Sequence, residues 1–198
     1  MPQFDLRGIK VAKYEVNEGQ ITHGQAMSAG DAMTATLEMR YAEGRLFAES
    51  TLAEYMRKAT GGTISLSVKY IPAATQQLMF GSRSKSRTVT YQNNGATATS
   101  TVSGLVLGAK TDSAYVSVAF YAPDMVDGVL KYTCVYIAKA LFGPPSIALQ
   151  TAGENIQFNS PTTSGEFLAD DTSNQDMIEV AIADTEEAAI AWRDAVLA

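Results

Sequence analysis

The segment Tyr115–Phe158 constrains the fold of this chain more than any other. It contains two apolar runs joined by the dipeptide Asp127-Gly128, and a break at Gly143-Pro144-Pro145 follows the second run. A type I′ turn needs positive φ at both central residues, and Asp-Gly is one of the dipeptides that meet this need. The segment therefore predicts an antiparallel hairpin of two strands.

Both faces of this predicted hairpin are apolar. One face of the first strand carries Val116, Val118 and Phe120, and the other carries Tyr115, Ser117, Ala119 and Tyr121. The second strand places Tyr132, Cys134, Tyr136 and Ala138 opposite Thr133, Val135 and Ile137. An antiparallel sheet usually turns one polar face to water. We therefore expect contacts with neighbouring chains to cover the second face, with Tyr115, Tyr121, Tyr132 and Tyr136 as candidate inter-subunit residues.

Length and cysteine content narrow the class of protein. A chain of 198 residues is long enough for one domain, 1–198, with a hydrophobic core that needs no disulfide bonds or metal ions to stabilise it. The single cysteine, Cys134, excludes an intrachain disulfide, and its place in an apolar strand favours a packed small hydrophobe. The single histidine, His23, lies far away in sequence, which disfavours a Cys/His catalytic pair and leaves their distance in space open.

Neither membrane insertion nor secretion is indicated. No segment approaches the ~20 apolar residues that a membrane-spanning helix requires. The N-terminal residues MPQFDLRGIKVAKYE lack the apolar core of a signal peptide. We therefore expect the protein to be made and folded in a cytoplasm, with no membrane partner.

Charge is distributed unevenly along the chain. The 21 acidic and 15 basic residues give a net charge of −6. From Gln150 onward there are 10 acidic residues and one basic residue, against 11 acidic and 14 basic residues before it, so the two parts carry −9 and +3. This asymmetry fits a solvated acidic face, or a subunit with a positive and a negative side that stacks head to tail.

The N-terminal part predicts strands and loops. Residues 1–14 are predicted as an N-terminal arm or strand with a bulge at Gly8, and Val16–Gly30 as a loop rich in Gly, Asn, Gln and Ser. Met33–Tyr41 alternates like a half-buried strand, and so does Thr63–Tyr70, in which the apolar residues are Ile64, Leu66, Val68 and Tyr70.

The segment between these two strands is ambiguous. Arg45–Ala59 has no clean period, and it is compatible with a short helix or with a long projecting loop or hairpin. We assign a projecting loop to 42–61. Its apolar residues are mixed with charges, which makes four of them candidate inter-subunit residues: Leu46, Phe47, Leu52 and Tyr55.

A short helix and a second hairpin are predicted in the middle of the chain. Pro72 suits the first helical position and Gly81 the residue after the helix end, which predicts a helix over Pro72–Phe80. Asn93-Asn94-Gly95 predicts a turn between strands at Thr88–Gln92 and Ala96–Leu107. The bases that precede this hairpin, Arg83, Lys85 and Arg87, fit a solvated edge strand better than a nucleic-acid site, because no aromatic residues alternate with them.

The C-terminal part predicts strands at Glu154–Phe158 and Met177–Ile182, a loop at Pro161–Gln175 and a helix over 184–197. Asp184 is the predicted helix cap, with Glu187 completing a capping box. The predicted apolar stripe of the helix is Ala188, Trp192, Ala195 and Val196. Many strands with a short internal helix and a C-terminal helix predict a mainly β fold, an antiparallel β-sandwich or barrel-like structure.

The sequence offers no recognisable catalytic constellation. Gly61-Gly62 precedes a strand, so it presents no helix N-terminus to a phosphate. The adjacent acids Asp170-Asp171 and Glu186-Glu187 match no calcium-loop spacing, and no Cys/His cluster suits zinc. We expect a protein that is not an enzyme and that needs no cofactor or metal.

Four segments carry a family resemblance in the same order along most of the chain. They are LAEYMRKATGGTISLSVKYIP (Leu52–Pro72), the hairpin that ends in GPP (Gly143–Pro145), PTTSGEFLADD (Pro161–Asp171) and DTEEAAIAW (Asp184–Trp192). Together they resemble the major tail protein, or tail tube protein, of long-tailed, non-contractile bacteriophages of Gram-positive bacteria. No single motif is chemically distinctive, and the ordered set carries the resemblance.

The resemblance implies a structural protein of the virion tail. Such subunits close into rings, hexameric in this family, and the rings stack into a tube through which DNA passes without specific binding. The implied partners are further copies of the chain, the tape-measure protein, and the tail-terminator and distal tail proteins. Ring closure would remove exposed strand edges, and an acidic protein suits a conduit for DNA.

Two other functions remain compatible with the same residues. One is a β-sandwich binding or decoration module on a virion, which recognises its partner through loops. The other is the tube protein of a contractile tail or a related secretion machine.

Overall fold

The computed structural model describes residues 5–48, 51–109, 111–146 and 160–198. Within them the chain forms eleven strands and two helices. The strands are β1 (Arg7–Asn17), β2 (Gln20–His23), β3 (Met27–Ser28), β4 (Ala32–Ala48), β5 (Thr51–Val68), β6 (Arg83–Asn93), β7 (Ala96–Val106), β8 (Val116–Val126), β9 (Val129–Phe142), β10 (Thr162–Leu168) and β11 (Ile178–Ala183). The helices are α1 (Ala73–Phe80) and α2 (Glu186–Ala195).

Nine of the strands form one antiparallel sheet. Its order is β2-β1-β8-β9-β10-β5-β4, with β3 paired to β1 and β11 paired to β9. Strands β10 and β11 lie along the same side of β9, because β10 pairs with its last residues and β11 with its middle. Strands β6 and β7 form a separate two-stranded sheet. The mainly β antiparallel fold with an internal and a C-terminal helix is thus confirmed.

The sheet curls around one large core. Residues from β1, β5 and β8, which are not neighbours in the sheet order, share a single buried cluster. The predicted inward residues Ile64, Leu66 and Val68 are each at most 1% exposed, whereas Tyr70 lies beyond the end of β5 and is exposed. Strict alternation over β5 thus predicted its buried face correctly up to Val68.

The β8–β9 hairpin has the predicted turn. Asp127 and Gly128 have φ of 52° and 80°. Val126 pairs with Val129 across this two-residue connection. Val116, Val118 and Phe120 belong to the main core, as their shared face predicts.

The segment that was ambiguous in sequence is a pair of strands, so the helix alternative is wrong. Strands β4 and β5 remain paired from Tyr41↔Ala59 to Ala48↔Thr51. Residues 42–61 are therefore a long hairpin and not a loop. Its exposed part, Tyr41–Ala59, is called the arm below, and at about 3.3 Å per residue it extends about 25 Å from the core.

Two segments predicted as loops contain strands. Val16–Gly30 includes β2 and β3, because a turn with positive φ at Glu18 and Gly19 folds the chain back onto β1. β2 lies at an edge of the sheet, where a strand needs no long apolar period. Pro161–Gln175 includes β10, which lies between β9 and β5 and buries Phe167. The predicted strand at Glu154–Phe158 lies outside the described residues.

The N-terminal strand differs from its predicted bounds. Of the predicted N-terminal arm or strand, residues 7–14 lie in strand β1, which runs on to Asn17 and lies between β8 and the pair β2 and β3. Residues 1–4 lie outside the described part. The register of β1 against β8 shifts between Arg7 and Lys10, where Gly8 has φ of 63°, which is the predicted bulge.

Helix α1 ends as predicted, with Gly81 in the left-handed conformation after it, but it begins at Ala73, so Pro72 is the N-cap and not the predicted first helical residue. Helix α2 is capped by Thr185, whose side chain accepts a hydrogen bond of 3.2 Å from the Ala188 backbone N–H. The predicted cap at Asp184 is therefore wrong by one residue.

The buried face of α2 is also shifted from the predicted stripe. Ala188 and Ala195 are exposed. The residues that pack inward are Ala189, Trp192, Arg193, Val196 and, after the helix, Leu197. Which face of the helix is buried depends on where the helix lies on the sheet, and not only on which of its residues are apolar. The predicted stripe considered apolar residues alone, so it is shifted from the buried face.

Candidate interaction surfaces

Helix α2 covers the second apolar face of the β8–β9 hairpin. Ala119, Tyr136 and Ala138 form one buried cluster with Leu197, and Trp192 and Val196 pack against it. Tyr121 and Cys134 form another with Ala189. The sequence analysis assigned this cover to neighbouring chains, and the structure corrects that expectation because the same chain supplies it.

Polar contacts fasten the helix to this face. The Tyr121 hydroxyl group donates to Oε1 of Glu186 at 3.0 Å, and Nη1 of Arg7 lies 2.9 Å from the same oxygen. The hydrogen bond from Arg7, followed by that from Tyr121, lowers the pKa of Glu186. Burial raises the pKa of Tyr121, and the hydrogen bond to Glu186 raises it further. The carboxylate at the first turn of α2 is thus stabilised in its charged form.

His23 contacts the same face of the β8–β9 hairpin, next to Ser117 and Tyr136. Its Nε2 atom lies 3.0 Å from Oγ of Ser117 and 3.2 Å from the hydroxyl oxygen of Tyr136. Its Nδ1 atom lies 3.4 Å from the backbone oxygen of Ala198. Burial lowers the pKa of His23 below its usual value. The histidine therefore ties β2 to β8, β9 and the end of the chain.

The four tyrosines predicted at an inter-subunit surface are mostly occupied within the chain. Tyr121 and Tyr136 are 5% and 8% exposed, and Tyr132 is half-buried with its ring 6.3 Å from that of Tyr121. Tyr121 and Tyr136 are therefore buried within the chain, whereas Tyr132 keeps part of its surface accessible. Tyr115 is 38% exposed, and Nζ of Lys139 lies 4.7 Å from its ring centre, so it remains accessible.

One face of the arm is a ladder of charged and aromatic side chains. Arg57 stacks on Tyr41, with its guanidinium carbon 3.6 Å from the ring centre. Glu43 lies 3.3 Å from Arg45 and 3.9 Å from Arg57. A hydrogen bond from Tyr55 is the main cause that lowers the pKa of Glu43. This face is satisfied by contacts within the hairpin.

The rest of the arm exposes apolar side chains. Leu46 is 58% exposed, Phe47 is 62% exposed and Met56 is 74% exposed. Gly44 lies opposite Met56, and nothing lies within 4 Å of the position that a Cβ on Gly44 would take. Leu52 is paired with Phe47, and its side chain lies outside the described part. Leu46, Phe47 and Tyr55 are thus accessible as predicted from the sequence, and Met56 joins them once the strand register is known.

The β6–β7 hairpin is the second exposed element. Among the described residues its two strands pair only with each other, and every residue of β6 is exposed. The register places Arg83, Lys85 and Arg87 on the same face as Val89 and Tyr91. The opposite face carries almost only hydroxyl side chains: Ser84, Ser86, Thr88, Thr90, Thr97, Thr99, Thr101 and Ser103. The sequence had identified the bases, but only the register shows the apolar residues beside them.

Folding neutralises much of the charge asymmetry seen in the sequence. Five acidic residues of the C-terminal part form ion pairs with basic residues from earlier in the chain. The pairs are Arg7–Glu186, Lys10–Asp194, Arg40–Glu166, Lys131–Asp184 and Lys139–Asp171. The acidic and basic parts therefore meet within one subunit. This corrects the idea that they form two separate sides of the molecule.

Cys134 and His23, which the sequence analysis considered as a catalytic pair, each contact other groups in the structure. Cys134 is buried, and burial raises the pKa of its thiol, which disfavours the reactive thiolate. His23 contacts Ser117 and Tyr136, and Ser117 is fully buried with its hydroxyl group donating to the Ala138 carbonyl oxygen. Among residues 5–48, 51–109, 111–146 and 160–198, no three His, Cys, Asp or Glu side chains are grouped to hold a metal ion.

The helices are short. In the described ranges neither α1 nor α2 has the length and apolar character needed to cross a bilayer.

Comparison with known proteins gives no family assignment. No protein-family model matches the chain, and no curated protein shows significant sequence similarity to it.

Proposed function

We propose that this chain is a self-assembling structural subunit that forms stacked rings, as the tail tube of a long-tailed bacteriophage does. The arm is the observation that carries the proposal. It projects about 25 Å from the core, and it presents Leu46, Phe47 and Met56 where this chain has no core to bury them. Large exposed apolar side chains gathered on one projecting element are typical of sites that contact another protein.

The β6–β7 hairpin supports the same proposal. A hairpin of two strands is only marginally stable in water when no third strand or helix covers it. Here eleven residue pairs, from Arg83↔Val106 to Asn93↔Ala96, form a ribbon outside the main sheet. A contact with another chain would cover it and so stabilise it.

Open edges of the main sheet are a third source of support. β4 is the last strand in the sheet order, and in the described part it pairs only with β5. Unpaired strand edges can pair with other chains, and closure into a ring removes such edges. In this proposal DNA would pass through the lumen, and tape-measure and tail-terminator or distal tail proteins would contact the ends of the tube in the virion.

A binding or decoration module is the second candidate function. Its supporting observation is that the arm and the β6–β7 hairpin are exposed in a single copy, as recognition elements on a rigid scaffold are. The tube protein of a contractile machine is also compatible with the first proposal, because it too would assemble from copies of one chain.

Electron microscopy and sedimentation of the concentrated protein distinguish these functions. A tube protein gives rings or filaments of uniform diameter without added cofactor, and the association increases with concentration. A binding module remains a monomer at every concentration, and that outcome would overturn the proposal.

A further inference from the structure

The distribution of unpaired charge identifies a second contact surface. Among the described residues only four basic side chains lack an ion pair: Lys58 on the arm, and Arg83, Lys85 and Arg87 on β6. The β6–β7 hairpin, Arg83–Val106, contains no acidic residue. Its three bases therefore give it a local charge of +3 in a chain whose net charge is −6.

These three bases lie on one face of the hairpin in a regular row. They alternate along β6, so successive bases are about 6.6 Å apart. Val102 lies opposite Arg87, and Gly104 lies opposite Lys85. The result is a strip about 13 Å long with charged groups along β6 and small or apolar groups along β7.

A groove elsewhere on the molecule has the complementary character. It is lined by Ile21 of β2, by Tyr136 and Ala138 of β9, and by residues around the start of β11, which are Asp170, Asp176, Met177, Ile178 and Glu179. Its floor is apolar and aromatic. Three acidic residues line it, and none of them forms an ion pair with the described residues.

The accessible charge of the groove comes from Asp176 and Glu179. Both are exposed, whereas Asp170 is 6% exposed and accepts hydrogen bonds from the backbone N–H and the hydroxyl group of Thr172. Burial is the main cause of the raised pKa of Tyr136, and the charges of Asp170 and Glu179 contribute to it. The groove is therefore a depression of mixed polar and apolar character with a negative rim.

We propose that the basic face of the β6–β7 hairpin of one copy docks into this acidic groove of a second copy. The proposal rests on the proposed function for the identity of the partner, a second copy, and it adds the two surfaces that meet. The hairpin and the groove are different surfaces, so the contact is head-to-tail and can repeat from copy to copy. Complementary charge would fix the register and accelerate encounter.

The test mixes two variants that each lack one side of the contact. Both carry Leu46→Ser and Phe47→Ser, so that the arm does not contribute. The hairpin variant adds Arg83→Glu, Lys85→Glu and Arg87→Glu, and the groove variant adds Asp176→Lys and Glu179→Lys. Sedimentation velocity then measures the association of the arm-blocked parent, of each variant alone and of the equimolar mixture.

We expect each variant alone to self-associate at least about a hundredfold more weakly than the arm-blocked parent, because like charges then face each other. The mixture should recover association, since the hairpin of the groove variant still fits the groove of the hairpin variant, and the reversed hairpin and the reversed groove are also opposite in charge. Raising sodium chloride should weaken the parent contact through screening. Lys58→Glu is the matched control, because it reverses another unpaired base, and it should leave association unchanged.

Several results would overturn this inference. They are self-association of either variant at the strength of the parent, a mixture that stays monomeric, and an equal loss in the Lys58→Glu control. Binding of a duplex DNA oligonucleotide by the hairpin face, together with a monomeric mixture, would assign the bases to nucleic acid instead. Circular dichroism checks that each variant folds, and Gln or Asn replacements at the same five positions serve if charge reversal unfolds the chain.

The experiment separates this inference from the proposed function. Restored association in the mixture, together with no rings or filaments from the unmodified chain, would support the contact and overturn the proposed tube function. If a chain that carries only the hairpin replacements still forms rings or filaments, the proposed tube function stands and the proposed hairpin-to-groove contact is overturned.

Discussion

The Tyr121 hydroxyl group donates a hydrogen bond of 3.0 Å to Oε1 of Glu186, which joins the outer face of β8 to the first turn of α2. This contact explains how an antiparallel hairpin can be apolar on both faces in a single subunit. One face contributes to the main core, and the C-terminal helix covers the other. In the described part of the chain, the surfaces left for other chains include the arm, the β6–β7 hairpin, the acidic groove and the strand edges.

The Tyr121→Phe variant should fold and should unfold at a lower urea concentration than the parent. The loss removes one hydrogen bond and leaves the ring in place, and Glu186 keeps its contact with Arg7 at 2.9 Å, so we expect a modest change. Tyr132→Phe is the matched control, because the described structure gives its hydroxyl group no hydrogen-bond partner. A larger effect in the control than in Tyr121→Phe would contradict the assigned role.

Replacement of Leu46 and Phe47 by Ser should block the formation of rings and tubes of uniform diameter, leave only the hairpin-to-groove association, and leave the fold intact. Both side chains are more than half exposed, so the free energy of unfolding should change by no more than about 0.5 kcal/mol. Light scattering measures assembly, and urea denaturation measures stability. Met33→Ser, at an exposed apolar residue outside the arm, is the control and should still assemble. Loss of cooperative unfolding in the arm variant would mean that these residues belong to the core.

His23 should make the fold less stable as pH falls through about 6.5, the usual pKa of histidine. Burial lowers its pKa in the folded state, so the unfolded chain takes up the proton first and stability falls with decreasing pH. The loss begins below the unfolded pKa and ends below the lowered folded pKa.

Urea denaturation between pH 7.5 and 5 measures this loss, and His23→Gln should flatten the profile. The carboxyl groups whose pKa values are lowered, Glu43, Asp171, Glu186 and Asp194, lose their stabilising contribution only at more acidic pH, below the usual carboxyl values near 4. An unchanged pH profile in the His23→Gln variant would show that another group is responsible.

Gly128→Ala should destabilise the chain by about 1 kcal/mol, because φ is 80° at this turn position and an L side chain strains there. Nothing lies within 4 Å of the added Cβ, so the cost is conformational and not steric. Gly44→Ala is the matched control, since its surroundings are equally open and its φ is not positive. Equal effects at both glycines would contradict the assigned turn.

Sequence reasoning succeeded where structure depends on neighbouring residues. The Asp127-Gly128 turn, the alternation of Ile64 to Val68 and the end of α1 at Gly81 follow from local backbone preferences. It failed where a strand depends on its partner, as in β10. There Gly165 interrupts the apolar pattern because a Cβ would collide with the backbone of Leu141 on the adjacent strand.

The candidate surfaces divide in the same way. The sequence identified Leu46, Phe47 and Tyr55 from apolar residues mixed with charge, and the structure leaves them exposed. It placed Tyr121 and Tyr136 on the same kind of surface, and the structure buries both. Alternation shows which residues share a face of a strand, but it does not show which distant element lies against that face.

The sequence by itself therefore determined the β class, the turns at Asn94-Gly95 and Asp127-Gly128, the internal helix and the imbalance of charge along the chain. Only the tertiary structure decided that α2 covers the β8–β9 hairpin and that acids such as Glu186 and Asp194 meet bases of β1. The physical reason is the separation along the sequence over which each kind of interaction acts. Turn and strand preferences act over a few residues, whereas burial and ion pairing join residues more than 170 positions apart, such as Arg7 and Glu186, whose hydrogen bond spans 179 positions.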